Sequence, residues 1–311
     1  MSDFMPEYSN EDLEKLFQAG KIASNVFKKI LPQIRSGMKI ADIVDGIEKI
    51  IYHSGAQLAF PPNLSCNTIA AHDTASIHEK RVIPDYGYVK IDLGVAIDGL
   101  LSDCARTVSV GGADVKLIEA SKDALDSAIK MAKAGVKISE LAETMQKSME
   151  NAGFKPISNL TGHQISKGNL HAGVSIPAVK TLNIVSKKLE NGATYAIEPF
   201  ATTGSSGAVR DLPGASALIF SFPKPPKTPL GKKIYQKYQK IPFSARSVAR
   251  DFLDGTFIER EENLYSTLRR ENCYYYPPLW ETSDGQVSQA EDMILIHEDS
   301  AEILTLGAYE I

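Results

Sequence analysis

The stretch Tyr88–Thr107 constrains the fold of this chain most, because two carboxylates interrupt an otherwise apolar pair of strands. Its apolar residues are largely β-branched, which favours strands, and Asp98-Gly99 is a turn signal because glycine tolerates a positive φ. With Gly99 as a bulge residue, Asp92 should lie directly opposite Asp103, with Cβ atoms roughly 4.5–5.5 Å apart. Two ionised carboxylates at that distance are costly to bury, so a cation should lie between them.

Further polar residues in apolar strands favour a divalent metal over Lys or Arg as that cation. Glu198 lies in the predicted strand Thr194–Phe200, Glu291 opens the first of two predicted closing strands, and His163 follows the second predicted helix pair. Four carboxylates and one imidazole suit a pair of Mn, Fe(II), Co or Zn ions better than one structural zinc. Each residue alone also has a purely structural explanation, so the prediction depends on the whole set. The predicted ligands are Asp92, Asp103, His163, Glu198 and Glu291.

An internal repeat relates the two helical parts of the chain. The segments Ser36–Gly55 and Ala134–Gly153 have equal length and match at several positions with one constant offset. Duplication within one domain predicts a mixed α/β fold with a pseudo-twofold axis, and a site that takes ligands from both halves; chance similarity of amphipathic helices is the alternative. Apolar periodicity predicts helices over Asn10–Leu31, Ile40–His53, Asp114–Ala134 and Ile138–Asn151.

Two histidines hold nearly equivalent places after the repeated helices. His72 follows Gly55, and His171 follows Gly153 at almost the same spacing. A symmetric site would place them on opposite sides of the metals. Neutral imidazoles in those places can donate to a scissile carbonyl group or to a developing tetrahedral oxyanion.

Composition and charge exclude several other classes. The net charge of −4 gives no general argument for nucleic-acid binding, and the three cysteines form no CxxC pattern, which suits a reducing compartment. The first residues lack the basic and apolar regions of a secretory signal, and no apolar run reaches the ~20 residues that span a membrane. We therefore expect a cytoplasmic protein that has no membrane partner and is a monomer.

The segment 223–272 differs in composition from the rest of the chain. Its beginning is rich in Pro and Lys, which predicts a linker into a small helical unit that includes Ser247–Leu253 and Glu261–Leu268. A solvated surface is one interpretation of its charge, and contact with an anionic partner such as the ribosome is the other. The basic residues are Lys224, Lys227, Lys232, Lys233, Lys237, Lys240, Arg246 and Arg250.

Five motifs, taken in order along the chain, resemble the type II methionine aminopeptidases, particularly the archaeal ones. They are AFPPNLSCNTIAAH, VKIDLGVAIDGLLSDCARTV, GHQISKGNLHAG, YAIEPFATTG and VSQAE. The resemblance covers nearly the whole chain and implies the pita-bread fold, in which helices flank a curved, mainly antiparallel sheet. It implies a catalytic domain over 1–222 and 273–311 and a helical insertion subdomain over 223–272. The implied activity is removal of the initiator methionine from nascent proteins and peptides by water that two metal ions activate.

The same resemblance assigns metal-binding roles to the five predicted ligands. Asp92 would chelate one metal ion with both oxygens, and Asp103 and Glu291 would bridge the two ions. His163 and Glu198 would bind the second ion, and Glu198 would also accept a proton from the attacking water.

The resemblance also assigns substrate contacts. His72 and His171 would contact the peptide and stabilise the tetrahedral intermediate. Phe60 and Leu170 would line the pocket for the methionine side chain, with Tyr276 at its rim. An unbranched thioether fits a narrow apolar slot of this kind.

Two related classes of protein are the alternatives. Prolidases and aminopeptidase P share the five ligands but usually carry an N-terminal domain, for which a first helix beginning by Asn10 leaves no room. Ribosome- or RNA-binding proteins of the same fold are not enzymes, and they typically lose metal ligands that are all present here.

Overall fold

The computed structural model describes residues 8–181, 187–253, 264, 266–268, 270–271 and 273–305. Four helices begin and end within three residues of the predicted bounds, and two more lie within the segment 223–272. Most of the predicted helix Glu261–Leu268 lies outside the described residues. In chain order the helices are α1 (Asn10–Ile30), α2 (Ile40–His53), α3 (Lys116–Met131), α4 (Ile138–Asn151), α5 (Pro229–Tyr238) and α6 (Ala245–Phe252). No helix of this described part is long and apolar enough to cross a membrane.

The first helix shows how local sequence fixes an element. Ser9 accepts a hydrogen bond from the Asp12 backbone, and the Asp12 carboxylate accepts one from the Ser9 backbone, which makes a capping box. A Cβ atom at Gly20 would collide with the carbonyl of Leu304, so glycine allows the closing strands to approach the apolar face of α1.

One antiparallel sheet forms the centre of the molecule. Its strands are, in chain order, β1 (Gln57–Cys66), β3 (Gly87–Ile97), β4 (Leu100–Val110), β6 (Thr161–Ile165), β7 (Ser175–Pro177), β8 (Thr194–Ile197), β16 (Glu291–Ile296) and β17 (Ala301–Ile303). They lie in the order β1-β3-β4-β16-β8-β6-β7, with β17 paired to β16. Helices α1 and α2 share a hydrophobic cluster with one half of the sheet, and α3 and α4 share another with the other half. The predicted α/β fold, with helices flanking a mainly antiparallel sheet, is confirmed.

Three small sheets complete the architecture. Their strands are β2 (Ile69–Ala71), β5 (Lys155–Pro156), β9 (Phe200–Thr202), β10 (Val209–Asp211), β11 (Ile219–Ser221), β12 (Phe243–Ser244), β13 (Tyr274–Tyr276), β14 (Leu279–Glu281) and β15 (Val287–Gln289). They pair as β10-β14-β2, β12-β11-β13 and β15-β9-β5. The sheet β12-β11-β13 packs with α5 and α6 in a hydrophobic cluster that includes Phe222, Phe243 and Val248.

The sequence repeat has a structural counterpart in both halves. Gly37 and Gly135 both adopt positive φ, and each donates its backbone N–H across to a neighbouring segment, to Ile83 and Leu189 respectively. The helices α2 and α4 that follow have the same length. Similar backbone contacts at matching positions favour duplication over chance similarity.

The central hairpin differs from its predicted register. Asp98 and Gly99 both have positive φ and form a two-residue turn without a bulge, so Asp92 pairs with Ala105 and Asp103 pairs with Gly94. The predicted pairing of Asp92 with Asp103 is therefore wrong by two residues. Because side chains alternate with a period of two, the two acids still share one face of the sheet and lie as diagonal neighbours.

Candidate metal centre

The five predicted ligands lie at five adjacent strands in the middle of the main sheet. Across the sheet the order is Asp92 on β3, Asp103 on β4, Glu291 on β16, Glu198 one residue after β8, and His163 on β6. The strand register places them on one face. They line a single cavity of about 340 Å³, a size that suits a small ligand.

Three of these residues bring their ligand atoms especially close together. One atom each from Asp103, His163 and Glu291 lies within 4.8 Å of the other two. His163 Nε2 is 3.5 Å from Asp103 Oδ2 and 4.0 Å from Glu198 Oε1. Asp92 completes the group from the other side, since it and Glu291 both pair with Ala105 in the sheet.

The buried carboxyl groups of the cluster need a cation nearby if they are to be ionised together. Burial raises the pKa of Asp92 to about 7, against the lowering effect of a hydrogen bond from Gln289. Burial, with the charge of the neighbouring acids second, raises the pKa values of Asp103, Glu198 and Glu291 well above their usual range. Without a counter-charge, these carboxylates cannot all ionise at neutral pH.

Several buried atoms of the cluster also lack a partner. Among the described residues, Asp92 Oδ1, Asp103 Oδ1 and His163 Nδ1 are buried and accept or donate no hydrogen bond. Such atoms are rare in folded proteins and need an explanation. Carboxylate oxygens and an imidazole are the ligand types that Mn, Fe(II), Co and Zn accept, so the residues present fit a divalent metal site.

Gln289 supports the cluster, although it is not among the site residues predicted from the sequence. Its Nε2 donates to Asp92 Oδ2 and to Glu291 Oε2, both at 3.2 Å, so one buried amide holds two of the acids. The only signal in the sequence was its place in the VSQAE motif, two residues before Glu291.

A buried ion pair fixes the backbone beside Glu291. Arg106 donates to Asp292 Oδ1 at 2.7 Å and also to the carbonyl of Glu291. Thr305 Oγ1 donates to the same carboxylate oxygen at 2.6 Å. Both charged side chains are about 4% exposed, so this ion pair is buried directly beside the acidic cluster.

The five residues predicted to contact substrate line the same cavity. Phe60 and Leu170 are almost fully buried in its wall, and Tyr276 contacts His72 edge to face, with ring centroids 5.4 Å apart. The ring of His171 lies 4.4 Å from that of His163. The wall also contains residues that no sequence pattern indicated: Asn159, Leu160, Thr161, Val174, Ile219 and Pro242.

His72 occupies an unusual backbone conformation. Its φ of 62° lies in the left-handed region, which costs free energy for a residue other than glycine. The next residue, Asp73, is buried and accepts a hydrogen bond of 2.7 Å from Arg81, which also donates to the carbonyl of Thr74. This clamp holds the segment that presents the imidazole to the cavity.

The histidines of the cavity favour the neutral form. Burial lowers the pKa of His72 to about 4 and that of His163 to about 3, with the neighbouring His171 a second cause for both. Loss of contact with water also lowers the pKa of His171, which is the most exposed of the three. At neutral pH each ring therefore keeps one N–H donor and one lone pair.

The family model for metallopeptidase family M24 matches residues 14–298 of this chain. A methionine aminopeptidase from Pyrococcus horikoshii is 38% identical over 302 residues, which covers 94% of this chain and 99% of that protein. The two sequences are therefore similar over nearly the full length of both chains, and the similarity is not confined to the site residues.

Two solved structures share the fold at lower identity. Methionine aminopeptidase from Thermotoga maritima superposes with a TM-score of 0.70 at 21% identity, and covers 96% of this chain and 98% of its own. Prolidase from Pyrococcus furiosus gives a TM-score of 0.61 at 18% identity, and the match covers 96% of this chain but only 64% of the prolidase. The predicted pita-bread fold is confirmed by these neighbours.

Proposed function

The chain belongs to metallopeptidase family M24, and we propose that it removes the N-terminal methionine from nascent proteins and peptides. The observation that carries this proposal is the convergence of four acids and His163 on one cavity that also has an apolar wall. Phe60 and Leu170 supply that wall beside the acids. An apolar slot next to a cluster of carboxylates suits a methionine side chain together with the free amino group on the same residue.

Membership of this family implies a divalent metal, and we propose that two ions bind. The residues that would hold them are Asp92, Asp103, His163, Glu198 and Glu291, which all line the cavity. The bound pair would lower the pKa of a water molecule toward neutrality and so supply the nucleophile. Mn, Fe(II), Co and Zn all suit the ligand set.

The side chains of the cavity then perform the remaining tasks. Phe60 and Leu170 fix the methionine side chain, which aligns the first peptide bond with the acids. The Glu198 carboxylate accepts the proton from the attacking water and passes it to the leaving amine. His72 and His171, both neutral, donate N–H groups to the carbonyl oxygen as it becomes an oxyanion.

The prolidase alternative is weaker on the observations above. The relative that is 38% identical is a methionine aminopeptidase, whereas the prolidase neighbour is 18% identical and shares only the fold. The non-enzymatic alternative is also weaker, because all five ligand positions are present and gathered at one cavity.

Metal removal and replacement tests the proposal directly. Chelation should abolish hydrolysis of the peptide Met-Ala-Ser, because the buried acids then have no cation to hold a nucleophile. Addition of Mn, Fe(II), Co or Zn, one at a time, should restore release of free methionine with at least one metal. The dipeptide Ala-Pro serves as the control for a prolidase, and we expect no cleavage of it. Full activity after complete chelation, or cleavage of Ala-Pro alone, would contradict the proposal.

We also propose that residues 1–222 and 273–311 form the catalytic domain and that 223–272 form an insertion subdomain with a docking role. Three of its basic residues form ion pairs within the molecule. Arg246 pairs with Asp45 at 2.6 Å, Arg250 pairs with Glu48, and Lys237 pairs with Asp251. The exposed lysines Lys224, Lys227, Lys232, Lys233 and Lys240 remain for an anionic partner. The surface of a cytoplasmic ribosome is the partner that we propose.

The docking role predicts an effect of charge reversal that is separate from catalysis. A triple variant, Lys232→Glu, Lys233→Glu and Lys240→Glu, should co-sediment with ribosomes less than the unmodified chain, because repulsion replaces attraction. Hydrolysis of Met-Ala-Ser should not change. The matched control reverses three exposed lysines of the catalytic domain: Lys130, Lys133 and Lys137. Equal sedimentation of all three proteins would exclude the docking role.

A further inference from the structure

Strand β13 carries three consecutive tyrosines at the edge of the cavity. Tyr276 lines the cavity, whereas Tyr274 and Tyr275 are 58% and 61% exposed. β13 pairs with β11 on one side, and within the described part of the chain no strand pairs with its other side. The strand therefore leads from the cavity to the surface with a free edge.

A row of three aromatic rings, His72 followed by Tyr276 and Tyr274 of β13, leads out of the site. The ring centroids of Tyr276 and His72 lie 5.4 Å apart. The ring centroids of Tyr274 and Tyr276 lie 4.8 Å apart, and their ring planes make an angle of 68°. Because alternate residues of a strand share a face, Tyr274 lies on the face of β13 that carries Tyr276, and Tyr275 points to the opposite face. Tyr274 is thus the outermost ring of the row.

The spacing along the strand fits an extended peptide. Two strand residues span about 6.6–6.8 Å, which is also the length of two residues of an extended substrate. A peptide whose first residue fills the cavity and whose chain leaves beside Tyr276 would place its third residue near the Tyr274 ring. Exposed aromatic rings bind other rings and apolar side chains through offset or edge-to-face contacts.

We propose that Tyr274 is a specificity-determining residue that binds the side chain of the third residue of the substrate and favours an aromatic residue there. This inference rests on the proposed removal of methionine from peptides. The part of the substrate that binds at Tyr274 follows the scissile bond, because the row of rings is continuous with the cavity that holds the first residue. Tyr275, equally exposed and on the other face of the same strand, should have no such role.

The test compares the peptides Met-Ala-Phe-Ala and Met-Ala-Gly-Ala as substrates. The unmodified chain should show a lower KM for the Phe peptide, with similar kcat for both. Tyr274→Ala should raise KM for the Phe peptide by about 3- to 10-fold, the range expected for loss of one aromatic contact, and leave the Gly peptide unchanged. Tyr275→Ala is the matched control and should behave as the unmodified chain with both peptides.

The outcomes separate this inference from the function on which it rests. No release of methionine from Met-Ala-Gly-Ala by the unmodified chain would reject the proposed function. Release from both peptides with equal KM would overturn the role of Tyr274 alone, and this comparison needs no variant. An equal effect of Tyr274→Ala on both peptides, or the same effect from Tyr275→Ala, would also overturn it.

Discussion

Asp103→Asn and Glu291→Gln should each abolish removal of methionine from Met-Ala-Ser and reduce the amount of bound metal. Each substitution keeps the size of the side chain but replaces a charged ligand oxygen with an amide. Changes to residues that only support a metal ligand typically cost 10–100-fold in affinity or activity, so loss of a ligand that is predicted to serve both ions should cost at least about 100-fold. The predicted bridging position of both acids makes the loss larger than for a residue that contacts one ion.

Two measurements made on the same samples test this prediction. Release of free methionine gives the activity, and elemental analysis after dialysis gives the metal content. Glu11→Gln is a suitable control, because that carboxylate is exposed in the first turn of α1, where it pairs with Lys15 at 2.8 Å. Full activity in Asp103→Asn or in Glu291→Gln would show that the assigned metal centre is wrong.

The position of these acids could be predicted from the sequence even though the hairpin register was wrong. The sequence predicts a bulge in the turn, whereas the observed two-residue turn at Asp98-Gly99 moves the pairing by two residues. A shift of two residues keeps every side chain on the same face, so Asp92 and Asp103 still point into the cavity. Helices could be predicted for a related reason, because apolar residues at three- and four-residue steps specify the buried face without knowledge of any distant partner.

The supporting residues could not be predicted because their partners are distant in sequence. Gln289 on β15 reaches Asp92 on β3, and Arg106 on β4 reaches Asp292 on β16, so both contacts depend on strands that are far apart in sequence. No local pattern indicates such a pairing. The sequence also predicts one strand over Thr194–Phe200, whereas the structure divides it after Ile197, and its two parts join different sheets through partners that are distant in sequence.

Replacement of the two cavity histidines should remove activity in a different way. His72→Ala and His171→Ala each remove one N–H donor from the side of the cavity where the oxyanion would form. Loss of a single donor of this kind typically costs about 10²–10³-fold in kcat. Because burial lowers the pKa of His72 to about 4, this ring should already be neutral in the unmodified chain at neutral pH. The loss should therefore be similar from about pH 6 to pH 8.

Metal content separates these variants from those that lose a ligand. Neither His72 nor His171 is among the five proposed ligands, so both variants should keep the metal while kcat falls, and KM should change much less. His297→Ala is the control, since that imidazole lies at the surface and pairs with Glu302 at 3.1 Å. His72→Asn, which restores a donor of smaller reach, should recover part of the activity.

If His72→Ala and His171→Ala both kept kcat within about 10-fold of the unmodified chain, the oxyanion would have to be stabilised elsewhere. Metal lost together with kcat would instead place these histidines among the groups that hold the ions.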